Sequence, residues 1–125
     1  MSSIAVIGAS SDRKKYGNIC VRAYTDASFD VYPVHPSEPI IEGHTAYRSI
    51  TDVPVYLDRV SIYLPPAKAL EVLDELAEIE VGELWLNPGV DTPEVVDKAH
   101  NLGLNVIVGC SIIDLGVSPA QYMMG

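Results

Sequence analysis

Near its start the chain reads Ile4-Ala5-Val6-Ile7-Gly8-Ala9-Ser10-Ser11-Asp12-Arg13-Lys14-Lys15-Tyr16-Gly17. The apolar run that begins this stretch contains β-branched residues without polar alternation, which is typical of a strand buried on both faces of a parallel sheet. The small residues Gly8, Ala9, Ser10 and Ser11 then predict a strand-to-helix turn, where backbone N–H groups can approach an anion at the helix N-terminus. The stretch therefore predicts a phosphate-binding turn.

Basic side chains are concentrated beside this turn. Arg13, Lys14 and Lys15 are three of the eight Lys and Arg residues in a chain whose formal net charge is −9. Because such a protein repels anions as a whole, an anionic ligand has to be captured by local cations and backbone amides. Arg13, Lys14 and Lys15, with the adjacent Tyr16, are therefore candidate binding residues.

The turn departs from the dinucleotide-binding pattern. That pattern has a second glycine close to the first and an acid about 20 residues later that binds a ribose hydroxyl. Here Ser10 stands in place of the second glycine, and the first acid after the second predicted strand is Glu38. Both departures weigh against an NAD(P)-binding enzyme, which stays open as an alternative.

The composition of the chain limits which other classes of function are expected. A chain of 125 residues, 48% hydrophobic and 20% charged, predicts one globular domain over residues 1–125. The acidic balance argues against nucleic acid or a membrane surface as partner. No apolar run is long enough to span a membrane and the start lacks a signal-peptide plan, so we expect a soluble cytoplasmic protein. Cys20, a predicted core residue, and Cys110 form no CxxC pair, so neither a disulfide framework nor a metal site is indicated.

Strands and helices alternate along the chain. After the first strand at 4–7, predicted strands cover 29–34, 59–64, 83–87 and 104–108, and predicted helices cover 16 to about 28, 67–79 and 92 to about 102. This alternation predicts a Rossmann-like, doubly wound α/β fold of three layers with a mainly parallel five-stranded sheet. Pro33 lacks an N–H donor and favours an edge position or a strand end for the second strand.

The connecting segments have their own signals. Residues 35–43 are proline-rich and predict a loop, and residues 45–55 predict a short turn or helical piece. The tail from about residue 115 is predicted to be irregular and to lie on the surface or on a partner subunit, which is compatible with a homodimer. Cys110 and two loops, His35-Pro36-Ser37 and Leu64-Pro65-Pro66, follow predicted strands at the carboxyl edge of the sheet, where open α/β folds bind ligands.

Several motifs together resemble a known family. They are Val6-Ile7-Gly8-Ala9-Ser10, Tyr16-Gly17, Val31-Tyr32-Pro33-Val34-His35-Pro36, Ile41-Glu42-Gly43, Ala46-Tyr47, Val53-Pro54, Trp85-Leu86-Asn87-Pro88-Gly89-Val90, and Gly103-Leu104-Asn105-Val106 followed by Cys110. Over nearly the whole chain this set resembles the small stand-alone CoA-binding domain proteins, a family similar to the CoA-binding domain of the succinyl-CoA synthetase alpha subunit.

The resemblance implies a ligand and its contacts. It implies that Gly8, Ala9, Ser10 and Ser11 hold the diphosphate of coenzyme A, neutralised by Arg13, Lys14 or Lys15. It further implies that His35-Pro36-Ser37 flanks the nucleotide and that Leu64-Pro65-Pro66 lines the adenine or pantetheine. The family often has a basic residue after the proline that follows the second strand, whereas Ser37-Glu38 stand here. The synthetase's phosphorylated histidine belongs to a second domain, so ligase activity is not implied.

Three functions stay open on this basis. The first is binding of coenzyme A or an acyl-CoA without catalysis. The second is a CoA-linked redox sensor in which Cys110 is a reactive thiol that pairs with the thiol of the ligand. The third is the NAD(P)-binding enzyme. Catalysis would need a nucleophile beside a base, and the candidates are Cys110 with His35, His44 or His100.

Overall fold

The computed structural model describes residues 2–123 and shows seven strands and three helices within them. In chain order these are β1 (Ser3–Ile7), α1 (Tyr16–Asp26), β2 (Asp30–Val34), β3 (Ile40–Ile41), β4 (His44–Thr45), β5 (Leu57–Ile62), α2 (Pro66–Leu76), β6 (Val81–Leu86), α3 (Pro93–Asn101) and β7 (Val106–Val108). Short 3-10 helices cover Ile50–Asp52, Ile113–Leu115 and Pro119–Tyr122.

Five of the strands form one sheet in the order β2-β1-β5-β6-β7, and every neighbouring pair is parallel. This confirms the predicted Rossmann-like fold. The chain runs from β1 outwards to β2 and then returns past β1 to β5, so the strand order reverses between β1 and β5. In open α/β sheets, ligands bind outside the carboxyl ends of the strands at such a switch point. Pro33 lies in the edge strand β2, as predicted.

An apolar layer covers each face of the sheet. Every residue of β1 is buried, as expected for a strand enclosed on both sides. Ile4 and Val6 pack toward α1 and the segment around Ile112, whereas Ala5 and Ile7 pack toward α2 and α3. Because successive strand side chains point to opposite faces, β1 contributes to both cores and forms the centre of the three-layer arrangement.

The predicted loop at 35–43 contains the first strand of a small antiparallel hairpin. Strands β3 and β4 pair across a turn in which Glu42 has φ +48° and Gly43 has φ +80°. Left-handed conformations at both central positions are what a tight two-residue hairpin requires. The prolines at 36 and 39 suggested an open loop, and glutamate is an uncommon residue at this turn position. The hairpin brings Glu42 back toward α1.

Several element bounds differ from the predicted ones. Strand β5 starts and ends two residues earlier than predicted, and only the Tyr63 N–H, 2.8 Å from the Ile7 carbonyl oxygen, extends its pairing. Helix α2 ends at Leu76, not at residue 79. Strand ends and helix ends depend on tertiary packing that a local pattern does not contain.

The predicted tail packs on the protein in the part that the structure describes. The Tyr122 hydroxyl donates a hydrogen bond of 2.8 Å to Asp26, and the Arg22 guanidinium lies 5.5 Å from the centre of the Tyr122 ring. The 3-10 helix Pro119–Tyr122 therefore covers part of α1, and residues 124 and 125 of the predicted tail lie outside the described residues. No helix between residues 2 and 123 has the length and hydropathy needed to cross a membrane.

Candidate functional site

Two glycines shape the segment between β1 and α1. Gly8 has φ +88°, and a Cβ atom there would lie 2.1 Å from the carbonyl oxygen of Tyr63. A Cβ atom on Gly17 would lie 2.1 Å from the carbonyl oxygen of Gly8. Glycine at both positions is therefore what lets the end of β5 and the first turn of α1 approach the backbone at residue 8.

The strand-to-helix turn is an eight-residue loop, residues 8–15, and α1 begins at Tyr16, as predicted. Part of the loop is held by its own side chains: the Asp12 N–H donates to Ser10 Oγ at 3.0 Å, and the Lys14 N–H donates to Asp12 Oδ1 at 3.0 Å. Between residues 8 and 17, the backbone N–H groups that find no acceptor among residues 2–123 are those of Gly8, Ala9, Ser10, Arg13, Tyr16 and Gly17. These groups are available to an anion.

A carboxylate from the loop after β2 lies against this segment. Glu38 Oε2 accepts a hydrogen bond of 3.2 Å from the Ser11 N–H, and the second carboxylate oxygen accepts one from the Ser11 hydroxyl. The Ser11 hydroxyl holds the pKa of Glu38 below its usual range, so this side chain is ionised at neutral pH. The 8–15 loop therefore already binds one anion, which is a side chain of the protein.

His35 shapes the loop that carries Glu38. Its Nδ1 accepts hydrogen bonds from the N–H groups of Ser37, at 3.0 Å, and Glu38, at 2.9 Å. Because Nδ1 is an acceptor, the ring proton lies on Nε2, which is 3.4 Å from Glu38 Oε2. His35 thus positions the Glu38 carboxylate beside the 8–15 loop, at the end of β2 where the sequence predicted a nucleotide-flanking residue.

The three basic residues predicted to bind the ligand differ in their contacts. Arg13 Nε lies 3.5 Å from Glu42 Oε2, so Arg13 is paired with the β3–β4 hairpin. Lys14 and Lys15 are exposed, and their side chains make no hydrogen bond or ion pair with any of residues 2–123. These two lysines are the cations that remain available to a ligand at the loop.

Asn18 was missed by sequence analysis although it joins three elements. It is fully buried in α1. Its Nδ2 donates to the Ser10 carbonyl at 2.8 Å and to Glu42 Oε2 at 3.0 Å, while its Oδ1 accepts from Arg22 Nε at 2.7 Å. An asparagine in a helical pattern carries no signal for such contacts, which depend on the hairpin.

A cleft of about 270 Å³ lies on the α2 side of the switch point, and we call it the α2-side cleft. Three of its lining residues, Gly8, Pro36 and Leu64, come from the three predicted loops. The other residues that line it are Ile7, Val34, Arg48, Ser49, Ile50, Lys68, Glu71, Val72 and Glu75. Among the remaining predicted residues, Ser37 is exposed, and Pro65 and Pro66 cap and begin α2 without lining the cleft.

A second cleft of about 270 Å³, the Cys110 cleft, lies on the α1 side of the same edge. Tyr63 packs with the α1-side core and the next residue, Leu64, with the α2-side core, so the end of β5 separates the two clefts. The residues that line the Cys110 cleft are Tyr16, Tyr63, Asn87, Pro88, Cys110, Ile113 and Pro119. The structure therefore brings the predicted residues Tyr16 and Cys110 together.

Buried polar groups support the Cys110 cleft from beneath. Asn87 Oδ1 accepts from the Ser111 N–H at 2.9 Å, and its Nδ2 donates to Ser61 Oγ at 2.8 Å. Ser61 and Ser111 are themselves joined at 2.7 Å, and all three side chains are buried. Asn87 thereby fixes the backbone next to Cys110 over the end of β6.

The two cysteines differ in environment. Cys20 is buried in the core, as predicted, and burial raises the pKa of its thiol to about 11. Cys110 is partly exposed, and both residues are free thiols. No histidine lines the Cys110 cleft among residues 2–123, since His35 bonds within its own loop, His44 Nε2 lies 2.9 Å from Thr25 Oγ1, and His100 is exposed on α3. The predicted pairing of Cys110 with a histidine is therefore not assembled in the described part of the chain.

Comparisons with known proteins identify the family. The profile of the CoA binding domain family matches residues 2–116. The chain is 31% identical over 115 residues to the alpha subunit of the ADP-forming acetate-CoA ligase II of Pyrococcus furiosus, an alignment that covers 83% of this chain and 25% of that protein. This chain thus spans about a quarter of the length of that relative.

Solved structures give the same result. A conserved hypothetical protein from Pyrococcus furiosus superposes with a TM-score of 0.84 at 31% identity, covering 91% of this chain and 99% of that one. The dinucleotide forming acetyl-coenzyme A synthetase 1 of Ca. Korarchaeum cryptofilum, in complex with phosphate and ADP, gives a TM-score of 0.74 at 31% identity, covering 85% and 25%. The resemblance expected from the motifs is confirmed, and the chain belongs to the CoA binding domain family.

Proposed function

We propose that the chain binds coenzyme A or an acyl-CoA at the carboxyl edge of the sheet, around the switch point between β1 and β5. The observation that carries this proposal is the contact between Ser11 and Glu38, in which a backbone N–H and a hydroxyl of the 8–15 loop already hold an anion. The available N–H groups and the exposed Lys14 and Lys15 extend the same loop toward a diphosphate. Membership of the CoA binding domain family supports coenzyme A as the ligand.

The two clefts favour a ligand that is long and has parts of different chemistry. Each has a volume of about 270 Å³, below the range of about 300–1,000 Å³ usual for drug-sized ligands. We place the nucleotide in the α2-side cleft beside Pro36 and Leu64, the diphosphate at the 8–15 loop, and the acyl or thiol end toward Cys110. The roles of these residues, like the absence of nucleic-acid and membrane partners and a cytoplasmic location, stay predictions.

We do not extend the proposal to catalysis. The ligase activity named for the Pyrococcus furiosus relative belongs to a protein about four times as long as the matched segment. In the part of this chain that the structure describes, the Cys110 cleft contains no histidine that could act as its base. Binding without chemistry is the function that these residues support best.

Thermal unfolding with a set of nucleotides tests the proposal. A ligand that binds only the folded state raises the midpoint Tm, and at 100 times its Kd it does so by about 10 °C for a domain of this size. We expect this rise with coenzyme A or acetyl-CoA and not with NAD, NADP or ATP. A rise with NAD and none with coenzyme A would favour the NAD(P)-binding alternative instead.

A substitution at Ser10 tests the diphosphate position. Ser10→Leu places a bulky side chain at the loop, and we expect it to abolish the coenzyme A-dependent rise in Tm while the circular dichroism of the folded protein is retained. Ser2→Leu makes the same change at an exposed residue near the amino edge of the sheet and should leave affinity unchanged. Unaltered affinity in Ser10→Leu would remove the 8–15 loop from the binding site.

A second candidate function follows from the position of Cys110, the cysteine whose side chain lines a cleft. If the chain is a CoA-linked redox sensor, the Cys110 thiolate attacks one sulfur of a CoA disulfide, forms a mixed disulfide, and releases the other half as a CoA thiolate. Intact mass after incubation with CoA disulfide should then show one adduct, absent from Cys110→Ser and retained in Cys20→Ser. If the wild-type protein acquires no adduct, it binds coenzyme A without disulfide exchange at Cys110.

A further inference from the structure

The loop after β2 brings a negative charge to the nucleotide side of the proposed site. Residues 35–41 contain no Lys or Arg. When His35 is neutral, Glu38 is the one charged side chain among them. Its carboxylate is oriented by the two hydrogen bonds from Ser11, and the ring of His35 lies 3.4 Å away. The low pKa that the Ser11 hydroxyl produces keeps this carboxylate ionised.

Glu38 lies where the ribose of a bound nucleotide is expected. Gly8 and Pro36 both line the α2-side cleft, and Glu38 joins the loop that carries Pro36 to the loop that follows Gly8. A nucleotide that runs from a diphosphate at the 8–15 loop into this cleft has its ribose as the next group after the phosphates. In dinucleotide-binding α/β folds an acid about 20 residues after the glycine turn binds a free ribose hydroxyl, and an arginine nearby accommodates a ribose phosphate. Glu38 comes later in the chain than that acid, but its contact with Ser11 brings it to the same edge of the sheet.

We propose that this site takes a pantetheine-linked adenosine diphosphate whose ribose hydroxyls are free, with these hydroxyls donating hydrogen bonds to Glu38, and that it does not favour a ribose 3′-phosphate. The inference rests on the proposed function and names its ligand class: coenzyme A precursors or products that lack the ribose phosphate, such as dephospho-CoA and its thioesters.

Other cations of the cleft do not offset Glu38. Arg48 and Lys68 line the α2-side cleft, but Glu71 and Glu75 line it as well, so its four charged side chains sum to zero. Glu75 also accepts a hydrogen bond from Ser49 and is held in place. Lys15 acts on the Glu38 carboxylate, but the proposed function assigns this lysine to the diphosphate. A phosphate monoester near Glu38 therefore meets a carboxylate at short range and no cation beyond those that the diphosphate uses, which disfavours it by Coulomb repulsion.

Calorimetric titration with coenzyme A and dephospho-CoA tests this, because the two ligands differ only in the 3′-phosphate. We expect wild-type protein to bind dephospho-CoA at least as tightly as coenzyme A. Glu38→Lys should shift the affinity ratio toward coenzyme A by about tenfold, and the smaller change Glu38→Gln should shift it in the same direction by less. Glu80→Lys makes the same charge change at an exposed residue near the amino edge and should leave the ratio unchanged.

The outcomes separate this inference from the proposed function. Wild-type protein that binds coenzyme A more than about threefold tighter than dephospho-CoA, or a ratio that Glu38→Lys and Glu38→Gln leave unchanged, would overturn the inference while coenzyme A binding stands. If neither ligand bound the wild-type protein, both the proposed function and the inference would fail. The expected ratio and its shift in Glu38→Lys would support both.

Discussion

At Gly17 the absence of a side chain determines how closely α1 approaches the loop before it. The first turn of the helix lies against the Gly8 carbonyl, where a Cβ atom would come within 2.1 Å of the oxygen. Real Cβ atoms do not approach a backbone oxygen so closely, so the helix would have to move away from residue 8. The position of α1 relative to the 8–15 loop thus depends on the lack of a Cβ atom at Gly17.

We expect Gly17→Ala to destabilise the protein although alanine is the better helix former. The gain in helix propensity is about 1 kcal/mol, and the overpacking against the Gly8 backbone costs about 1–3 kcal/mol, so the net change is a loss. The measurement is the free energy of unfolding in urea. Gly109→Ala is the control, because its Cβ would meet only Trp85 at an ordinary 3.6 Å. Stabilisation by Gly17→Ala would show that the first turn packs less closely.

Among the helices and strands, α1 is connected to the hairpin β3–β4 through Asn18, the fully buried side chain that donates to Ser10 and Glu42, and through Thr25, which bonds His44. Aspartate has nearly the same shape but at neutral pH has no proton to donate to these two acceptors. We expect Asn18→Asp to lower the free energy of unfolding at pH 7 by about 2 kcal/mol. The Ser10 carbonyl would lose its hydrogen-bond donor, and the Glu42 carboxylate would face a second negative charge.

The pH dependence of this variant gives a sharper test. We expect burial and the Glu42 carboxylate to raise the pKa of this aspartate in the folded state by more than the Arg22 guanidinium, 2.7 Å from Oδ1 of residue 18, lowers it. The aspartate then costs stability above its unfolded pKa, and the deficit should shrink as pH falls and the group binds a proton. The exposed Asn105 provides the control Asn105→Asp, which should track the wild-type protein at every pH. A deficit that stays constant between pH 7 and pH 4 would mean that charge on residue 18 is not its cause.

The elements also show what local sequence can and cannot predict. The apolar run at β1 and the alternation of strands and helices predicted the parallel sheet, because both signals lie in the local sequence. The hairpin was missed, since its turn places Glu42 in a conformation that favours glycine. The contact between Ser11 and Glu38 spans 27 residues and follows from the strand order, which no local pattern contains.

On the scale of the whole molecule, the charge distribution opposes the proposed ligand. A formal net charge of −9 repels an anion at long range, and of the three cations beside the loop, Arg13 is already paired with Glu42. Lys14 and Lys15 are thus the residues that make the local potential less negative. Since both are exposed, their effect is screened by salt with a Debye length of about 10 Å at 0.1 M.

We expect Lys14→Gln with Lys15→Gln to weaken coenzyme A binding by about three- to tenfold at low ionic strength and to flatten its salt dependence. Titration at two salt concentrations measures both effects. Lys98→Gln also removes a positive charge, but Lys98 bonds Leu70 and Asp74 and lines neither cleft, so this variant should leave affinity unchanged. If the double variant and Lys98→Gln weakened binding equally, net charge alone would account for the effect. A loss confined to the double variant places the diphosphate beside the 8–15 loop.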